Sequence, residues 1–331
     1  MSQPTNIGSE KERGAALLTV LLLVAVIAIL AAHGIDRLVG ATKLASNAQE
    51  LSQAKAYLIA AEAVGIEAAE EIVSVSPGRT INLGGWNGRE QKFPVPGGTI
   101  SATLADGGNC FNINSLVTQQ QAMLSARPEG LAQFSRLMVM LGMPDGDAAD
   151  IAASVADWID SDSIAAPSGA EDQYYLLQEK PYLTANALIV DVSELRSIKG
   201  ISEEIFQRLV PWVCALPATD LSPININTLR PEQAMLLAML GATPSDLTPA
   251  RQFLGRRPEL GFASLNDFWA QPYPASLGAT SEAQSQTKLT TRWFRVDLSV
   301  EMQSALVEER ALIDAARQPG RLVHRQRGDA F

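Results

Sequence analysis

The N-terminal part of the chain carries two hydrophobic patterns in succession. Residues 15–32 are almost continuously apolar, with Thr19 as the exception. As a helix this run would rise about 27 Å, close to the roughly 30 Å hydrocarbon core of a bilayer. Further on, apolar side chains recur at spacings of six, seven and fourteen: Leu38, Leu44, Leu51, Leu58 and Ile72. The two patterns predict one nearly continuous helix over residues 15–75, about 90 Å long, which Pro77 ends.

Two interpretations of the apolar run fit its hydropathy. A charged leader that ends in Gly14 precedes it, as happens in both secretory signals and membrane anchors. A cleaved signal usually has an apolar region of about 7–15 residues, followed by small residues at the cut site. The run here is longer, and residues 29–34, ILAAHG, offer only a poor site. Length therefore favours an anchor, while hydropathy alone leaves a cleaved signal open.

Alternating polar and apolar positions flank the rest of the chain. Residues 91–106, QKFPVPGGTISATLAD, predict two strands joined by a Pro-Gly-Gly turn. The alternation returns over residues 287–302 and predicts another strand. Residues 304–314 are assigned a further strand, although their local propensity is helical. From residue 318 the chain ends in a basic, glycine-containing tail.

The middle of the chain has helical periodicity instead, from Ser115 to about Trp269. Strands on both sides of a helical middle predict an α+β fold. In this fold an αβ domain, residues 76–109 and 288–331, is interrupted by an inserted α domain, residues 110–287. Within that insert, two segments resemble helix-hairpin-helix units. The motif Asn-Ile-Asn-Ser/Thr-Leu occurs twice, at 112–116 and 225–229, where we expect the asparagines to cap helices.

Composition narrows the chemistry. The formal net charge is −10 and the pI about 4.8, which argues against binding a polyanion and permits binding a cation. Two histidines and two cysteines, without ligand spacing, exclude an ordinary zinc site. Cys110 and Cys214 are either separate buried thiols or, outside the cytoplasm, a disulfide. We find no nucleophile–base pair and no glycine-rich phosphate loop, so an enzyme is not expected.

The densest polar segment is ADWIDSDSIAAPSGAEDQYY, residues 156–175. Its carboxylates surround a turn-rich loop: Asp157, Asp160, Asp162, Glu171 and Asp172. Calcium takes six to eight oxygen ligands in flexible geometry, which suits such a loop better than magnesium does. The spacing is not that of an EF-hand, because the sixth position lacks glycine. A solvated acidic helix end is the alternative, although Trp158 and Tyr175 add apolar mass that favours a packed loop.

The hairpins raise a rival function, a membrane-anchored DNA-binding protein of the competence type. In many DNA-binding proteins such hairpins hold phosphate through backbone amides. Here Glu203 and Glu204 follow the first hairpin and would repel phosphate. Only the second is locally basic, at Arg251, Arg256 and Arg257. We therefore expect the hairpins to be packing units and expect no nucleic-acid partner.

Taken together, these segments resemble one family. The leader and helix start, RGAALLTVLLLVAV, resemble type IV prepilins. The segments DGGNCFNINSL, VADWIDSDSIAAPSGAEDQYY, DVSELRSIKGIS, LSPININT and RWFRVDLSVEM resemble the protein K family of minor pseudopilins of the type II secretion system, over nearly the whole chain. The resemblance implies a pseudopilin fold with a long N-terminal helix, an antiparallel sheet and a large inserted all-α domain of helix-hairpin-helix or SAM-like type.

The resemblance also implies processing and location. A prepilin peptidase would remove residues 1–14 by cutting between Gly14 and Ala15, and the chain would span the inner membrane once with its bulk in the periplasm. Most pilins have Glu as the fifth mature residue, where this chain has Thr19, and the protein K family likewise lacks the usual Glu. A buried carboxylate needs a partner, and a subunit at a filament tip has no neighbour beyond it to supply one.

Partners and ligands follow in the same way. The resemblance implies a tip complex with minor pseudopilins I and J, and with H, on an inner-membrane secretion platform, where the protein primes assembly and caps growth. It implies structural Ca²⁺, carried over to Asp160, Asp162, Glu171 and Asp172, with Asp157 as a further ligand. The family's usual turn has no cysteine at the DGGNC segment, so the pairing of Cys110 with Cys214 remains an inference.

Overall fold

The computed structural model describes residues 9–328, with side chains from residue 14 onward. The leader expected over residues 1–14 therefore lies partly outside the described residues. The helices are α1 Ser9–Val75, α2 Pro128–Met140, α3 Asp145–Ile159, α4 Asp172–Tyr175, α5 Glu203–Leu209, α6 Ala234–Ala238, α7 Leu247–Gly255, α8 Leu265–Trp269, α9 Pro272–Ser276 and α10 Ser281–Ser285. The strands are β1 Arg89–Val95, β2 Gly98–Asp106, β3 Phe111–Asn112, β4 Val117–Gln120, β5 Met123–Ala126, β6 Val213–Cys214, β7 Trp293–Met302, β8 Leu306–Asp314 and β9 Arg321–Arg327. Short 3₁₀ helices span Leu83–Gly85, Ile113–Leu116, Val192–Ser197 and Pro231–Gln233.

The long helix predicted from the hydrophobic patterns is present as α1. Residues 14–49, which make up most of its first half, are all exposed. Within Gly14–Val75 one stretch is long and apolar enough to cross a membrane, and none of that stretch is buried. Of the recurring apolar residues beyond it, Leu38, Leu44 and Leu51 are exposed, and only Leu58 is fully buried. The spacing therefore identified the helix but not its packing face.

The second half of α1 packs on the sheet through small residues. Ala54, Leu58 and Ala69 are fully buried and lie on one helical face. Gly65 permits the closest approach, because a Cβ there would lie 3.1 Å from Val296 Cγ2 of β7. The helix and the sheet thus share one hydrophobic core.

That sheet is antiparallel throughout, with strand order β1-β2-β7-β8-β9. The predicted strands over 91–106, 287–302 and 304–314 are all present. The basic tail is not simply a tail, because β9 pairs with β8 at the edge of the sheet. Its sequence RLVHRQR lacks the apolar face that marks an interior strand, so alternation could not reveal it.

The inserted segment lies between β2 and β7, which are neighbours in the sheet. Residues Asp106 and Phe294 face each other across the two strands, and Gly107 N donates to Trp293 O. Between these points the chain builds a second, larger hydrophobic core from α2, α3 and the shorter helices. The fold is the predicted α+β type. The insert is mainly helical, and it also contains two short sheets, β3 with β6 and β4 with β5.

A buried polar network joins the two cores. The carboxylate of Asp106, at the end of β2, accepts hydrogen bonds from Thr228 Oγ1 of the insert and from Thr291 Oγ1 just before β7. Asn225 Nδ2 donates to Thr80 O at 3.1 Å and to Thr291 Oγ1 at 2.9 Å. All of these residues are buried. The network fixes where the insert leaves and rejoins the sheet.

The repeated Asn-Ile-Asn motif caps a helix only in its first copy, where Asn112 precedes the 3₁₀ helix Ile113–Leu116, whereas the second copy forms a turn. In each copy the first asparagine accepts from the second asparagine's N–H, as a cap would. The second asparagine forms hydrogen bonds to a distant loop through both its side-chain oxygen and its side-chain nitrogen. Asn114 pairs with Ile189 N and O at 2.8 and 2.9 Å, and Asn227 pairs with Phe262 N and O at 2.7 and 3.1 Å. Each side-chain amide thus forms with one loop residue the pair of hydrogen bonds that a neighbouring β-strand would form.

Candidate metal centre and relatives

The acidic loop begins where α3 ends. Asp160 is the residue that terminates α3, and the loop returns at Glu171, just before α4. These two carboxylates and Asp162 come together, with one ligand oxygen from each lying within 4.8 Å of the others. Three oxygens at such separations can converge on a single hard cation.

Burial makes this group unusual for carboxylates. Asp160 and Glu171 are only 5% and 3% exposed, whereas Asp162 is exposed. Glu171 Oε1 is buried without a hydrogen-bond partner among the described residues. A buried, unpartnered carboxylate oxygen is costly, so it points to a missing positive partner.

The electrostatics agree with this picture. Burial, with the neighbouring carboxylates adding to it, raises the pKa of Glu171 to about 7. Burial, followed by repulsion from Asp162, raises the pKa of Asp160 to about 6. Both shifts disfavour the charged forms, and a bound cation would reverse them. Three carboxylates are the donors that a hard divalent cation prefers, and the calcium ion expected from the sequence is one such cation.

The other two predicted ligands have partners of their own. Asp157 is buried and its Oδ2 accepts from Ala166 N at 3.0 Å, inside the loop. Burial raises its pKa. Asp172 Oδ1 accepts from Thr184 N at 2.9 Å and Thr184 Oγ1 at 2.7 Å, and these bonds lower the pKa of Asp172. The two residues hold the loop's shape, and the three-carboxylate group does not include them.

The aromatic residues expected on either side of the loop pack against each other. Tyr175 is fully buried and meets Trp158 edge to face, with ring centroids 5.3 Å apart. Sequence reasoning missed Lys199, which lies in the SIKG turn. Its Nζ donates to Ser168 O at 3.1 Å and Gly169 O at 3.0 Å. Nothing local in the sequence relates that lysine to a loop thirty residues earlier.

The remaining predicted site residues lie elsewhere. Gly14 and Ala15 are exposed on α1, and Thr19 Oγ1 donates to Ala16 O one turn back at 2.9 Å. Cys110 and Cys214 form a disulfide, with Cα atoms 5.8 Å apart. The disulfide ties the beginning of the insert to β6, next to the short β3–β6 pair.

Sequence models of type II secretion system protein K match residues 109–218 and 224–292. The chain belongs to this family. The protein K of Pectobacterium carotovorum subsp. carotovorum is 34% identical over 320 residues, covering 96% of this chain and 97% of the relative. The protein K of Klebsiella pneumoniae is 33% identical over 322 residues, covering 97% and 98% respectively.

A solved structure shares the fold. It is a chain of the GspK-GspI-GspJ complex from the enterotoxigenic Escherichia coli type 2 secretion system, with a TM-score of 0.74 and 30% sequence identity. It covers 85% of this chain, which in turn covers 98% of the solved chain. As a member of this family, the chain is a minor pseudopilin of type II secretion. Its role in protein transport is structural. Its apolar α1 suits the membrane anchor of such a protein.

Proposed function

We propose that this protein K family member occupies the tip of the pseudopilus, where it primes assembly and caps growth. The observation that carries the proposal is the form of α1, whose exposed apolar half continues without a break into the half that holds the sheet. Such a rod has an apolar surface to bury among other helices while its folded head stays outside the bilayer.

Two features support the tip rather than the shaft. Thr19 satisfies its own hydroxyl through Ala16 O, so it needs no charge from a subunit beyond it. The insert between β2 and β7 adds a second core to the pseudopilin sheet. A subunit stacked above would have to avoid that bulk.

Partners and location complete the proposal. The related chain is solved in a complex named for GspK, GspI and GspJ, and we propose minor pseudopilins I and J as the partners here, with H, the prepilin peptidase and the inner-membrane platform. We place α1 in the inner membrane and the bulk of the chain in the periplasm. The disulfide supports this location, because disulfides persist in oxidising compartments.

N-terminal sequencing of the mature protein tests the processing step. We expect the mature chain to begin at Ala15, because the proposed peptidase cuts after Gly14. A strain lacking the prepilin peptidase should retain the leader. An untrimmed chain in the wild-type strain would contradict the assignment.

Thr19→Glu tests the position in the pseudopilus. The exposed site should tolerate the change, so the protein should fold normally, with Thr19→Ser as the matched control. The added carboxylate would be stabilised by the terminal amine of a neighbouring subunit, and this ion pair would favour incorporation into the shaft. Immunogold labelling of sheared pseudopili would then show the Thr19→Glu variant along the shaft, and the wild type and the Thr19→Ser control at one end. Equal distribution of all three proteins along the filament would count against the tip assignment.

We also propose that Asp160, Asp162 and Glu171 hold a structural calcium ion. The ion would supply positive charge to the unpartnered Glu171 Oε1 and stabilise the loop that α3 and α4 enclose. An ion that binds only the folded state at a hundredfold excess over its Kd adds about 2.7 kcal/mol to stability. The ion would add to the hydrogen bonds through which Asp157, Asp172 and Lys199 already hold the loop.

Thermal unfolding with and without calcium checks this proposal. Calcium should raise the melting temperature of the wild type, and EDTA should reverse the rise. Glu171→Gln should abolish the response, whereas Glu179→Gln, a change at an exposed acid nearby, should keep it. If the Glu171 variant responds as fully as the Glu179 variant, the ion binds elsewhere.

A further inference from the structure

A cleft on the far part of the insert has no role in the proposed calcium centre. It has a volume of about 590 Å³ and lies between the end of α7, the following loop and the start of α9. Aromatic rings form its wall. Phe253 and Phe262 stack with centroids 5.9 Å apart, and Tyr273 lies 5.8 Å from Phe253. Phe253 and Tyr273 are half-buried and Phe262 is buried, so the packed rings give the cleft an aromatic wall.

Two arginines line the same cleft. Arg256 is exposed at its edge. Arg257 is half-buried, and its Nη1 donates to Ile226 O at 3.0 Å and Leu229 O at 2.6 Å. Neither guanidinium forms an ion pair within residues 14–328. Burial lowers the pKa of Arg257, as expected for a cation that only neutral carbonyls stabilise.

One acid, Asp267 on α8, also lines the cleft. Two cations against one anion leave the cleft positive on a chain whose net charge is −10. A positive site beside an aromatic wall is complementary to a carboxylate next to an apolar side chain. A nucleic acid fits less well, because Asp267 would face its phosphates and no third cation lines the cleft among the described residues.

We propose that this cleft binds a peptide segment of a protein partner through a carboxylate at Arg256 and Arg257 and an adjacent apolar side chain against Phe253. The carboxylate is the C-terminus of that segment, because a C-terminal residue carries its carboxylate and its own side chain next to each other. Arg257 is already fixed by its two carbonyl bonds, so it meets the ligand without losing side-chain freedom. The proposal depends on neither the calcium ion nor the tip position.

Fluorine NMR on the full-length protein in detergent micelles tests the site with three probes. N-acetyl-4-fluoro-L-phenylalanine carries a terminal carboxylate, its carboxamide carries none, and N-acetyl-L-aspartyl-4-fluoro-L-phenylalaninamide carries an acidic side chain. We expect line broadening for N-acetyl-4-fluoro-L-phenylalanine beyond that in empty micelles, and less for its carboxamide. Greater broadening of the aspartyl amide than of the terminal acid would show that the cleft binds an acidic side chain and would contradict the C-terminal assignment.

Two variants of opposite sign make the test specific. Arg256→Gln should weaken binding of the acid about three- to fivefold, the size expected for an exposed ion pair, and should leave the carboxamide unchanged. Asp267→Asn should strengthen binding of the acid. Both side chains are exposed, so the fold should survive. Equal broadening by acid and carboxamide, or no effect of Arg256→Gln, would overturn the proposal. A short DNA duplex that displaces the probe in an Arg256-dependent way would assign the cleft to nucleic acid instead.

Discussion

Asp106 is a single carboxylate on which two cores depend. It is 6% exposed, and it receives hydrogen bonds from threonines on both sides of the junction between sheet and insert. Burial raises the pKa of Asp106 to about 6, against an ordinary value of 3.8, although the hydroxyl bonds oppose the shift. The folded state therefore holds this proton more tightly than the unfolded chain does.

The sign of the pH effect follows from that difference. Below about pH 4 the group is protonated in both states and costs nothing. As pH rises from about 4 to 6, only the folded state must keep a proton or bury a charge, so stability falls, by about 3 kcal/mol in all. Asp106→Asn keeps the shape without the charge and should remove this decline. Denaturation midpoints of both proteins from pH 4 to 7 measure it, and identical pH slopes would contradict it.

Asn114 and Asn227 illustrate at the same scale what sequence could and could not predict. Their local capping geometry is visible in the Asn-Ile-Asn repeat, since a cap involves residues two or three positions away. Their hydrogen bonds to Ile189 and Phe262 are not visible in the sequence, because these partners lie 75 and 35 residues further along the chain. In the acidic loop, likewise, spacing identified five carboxylates, but only tertiary packing decides that three converge.

At the scale of elements, β9 fastens the long helix to the sheet. Arg325 on β9 donates to both oxygens of Glu62 on α1, at 2.7 Å each. Beside it, Arg327 Nε donates to Glu309 Oε2 of β8 at 2.6 Å. Glu62 and Glu309 are 7% and 1% exposed, so their charges depend on these arginines. A strand that sequence indicated only as a basic tail supplies both of the cations.

Arg325→Ala should therefore destabilise the fold by about 3 kcal/mol, because it leaves the buried Glu62 without the arginine that pairs with it. Hydrogen exchange should accelerate in β9 before the rest of the sheet. Arg208→Ala is the matched control, since its pair with Glu204 is exposed and worth at most about 0.5 kcal/mol. Equal losses in chemical denaturation for the two variants would show that the α1–β9 contact is not structural.

On the scale of the whole molecule, the hydrophobic pattern predicted the order of parts well. The long helix, the strand pair, the helical middle and the returning strands all follow from periodicity, because the spacing of apolar residues distinguishes helix from strand even where, as in α1, it does not identify the buried face. Edge strand β9 and the short sheets in the insert do not, because β9 has no clear apolar face and strands of two to four residues are too short to show alternation. The disulfide also needed the structure, because two cysteines 104 residues apart carry no pattern.

That disulfide closes a large loop within the insert, so its loss should be felt globally. In the chain-entropy model a loop of this length contributes about 4–5 kcal/mol. The double variant Cys110→Ser, Cys214→Ser should lower the denaturant midpoint by a corresponding amount, and its midpoint should not respond to reductant, which is the internal check. A wild-type midpoint that does not move when dithiothreitol is added would contradict the expectation.

Asp106 and Phe294 face each other in the sheet, so residues 107–292 leave and rejoin it at one place. Replacing the insert with a short turn would convert β2 and β7 into an ordinary β-hairpin. Evolution can lengthen, trim or exchange what lies beyond such a point without shifting the register of the flanking strands. The insert can therefore change in length while α1 and the five-stranded sheet keep their shape.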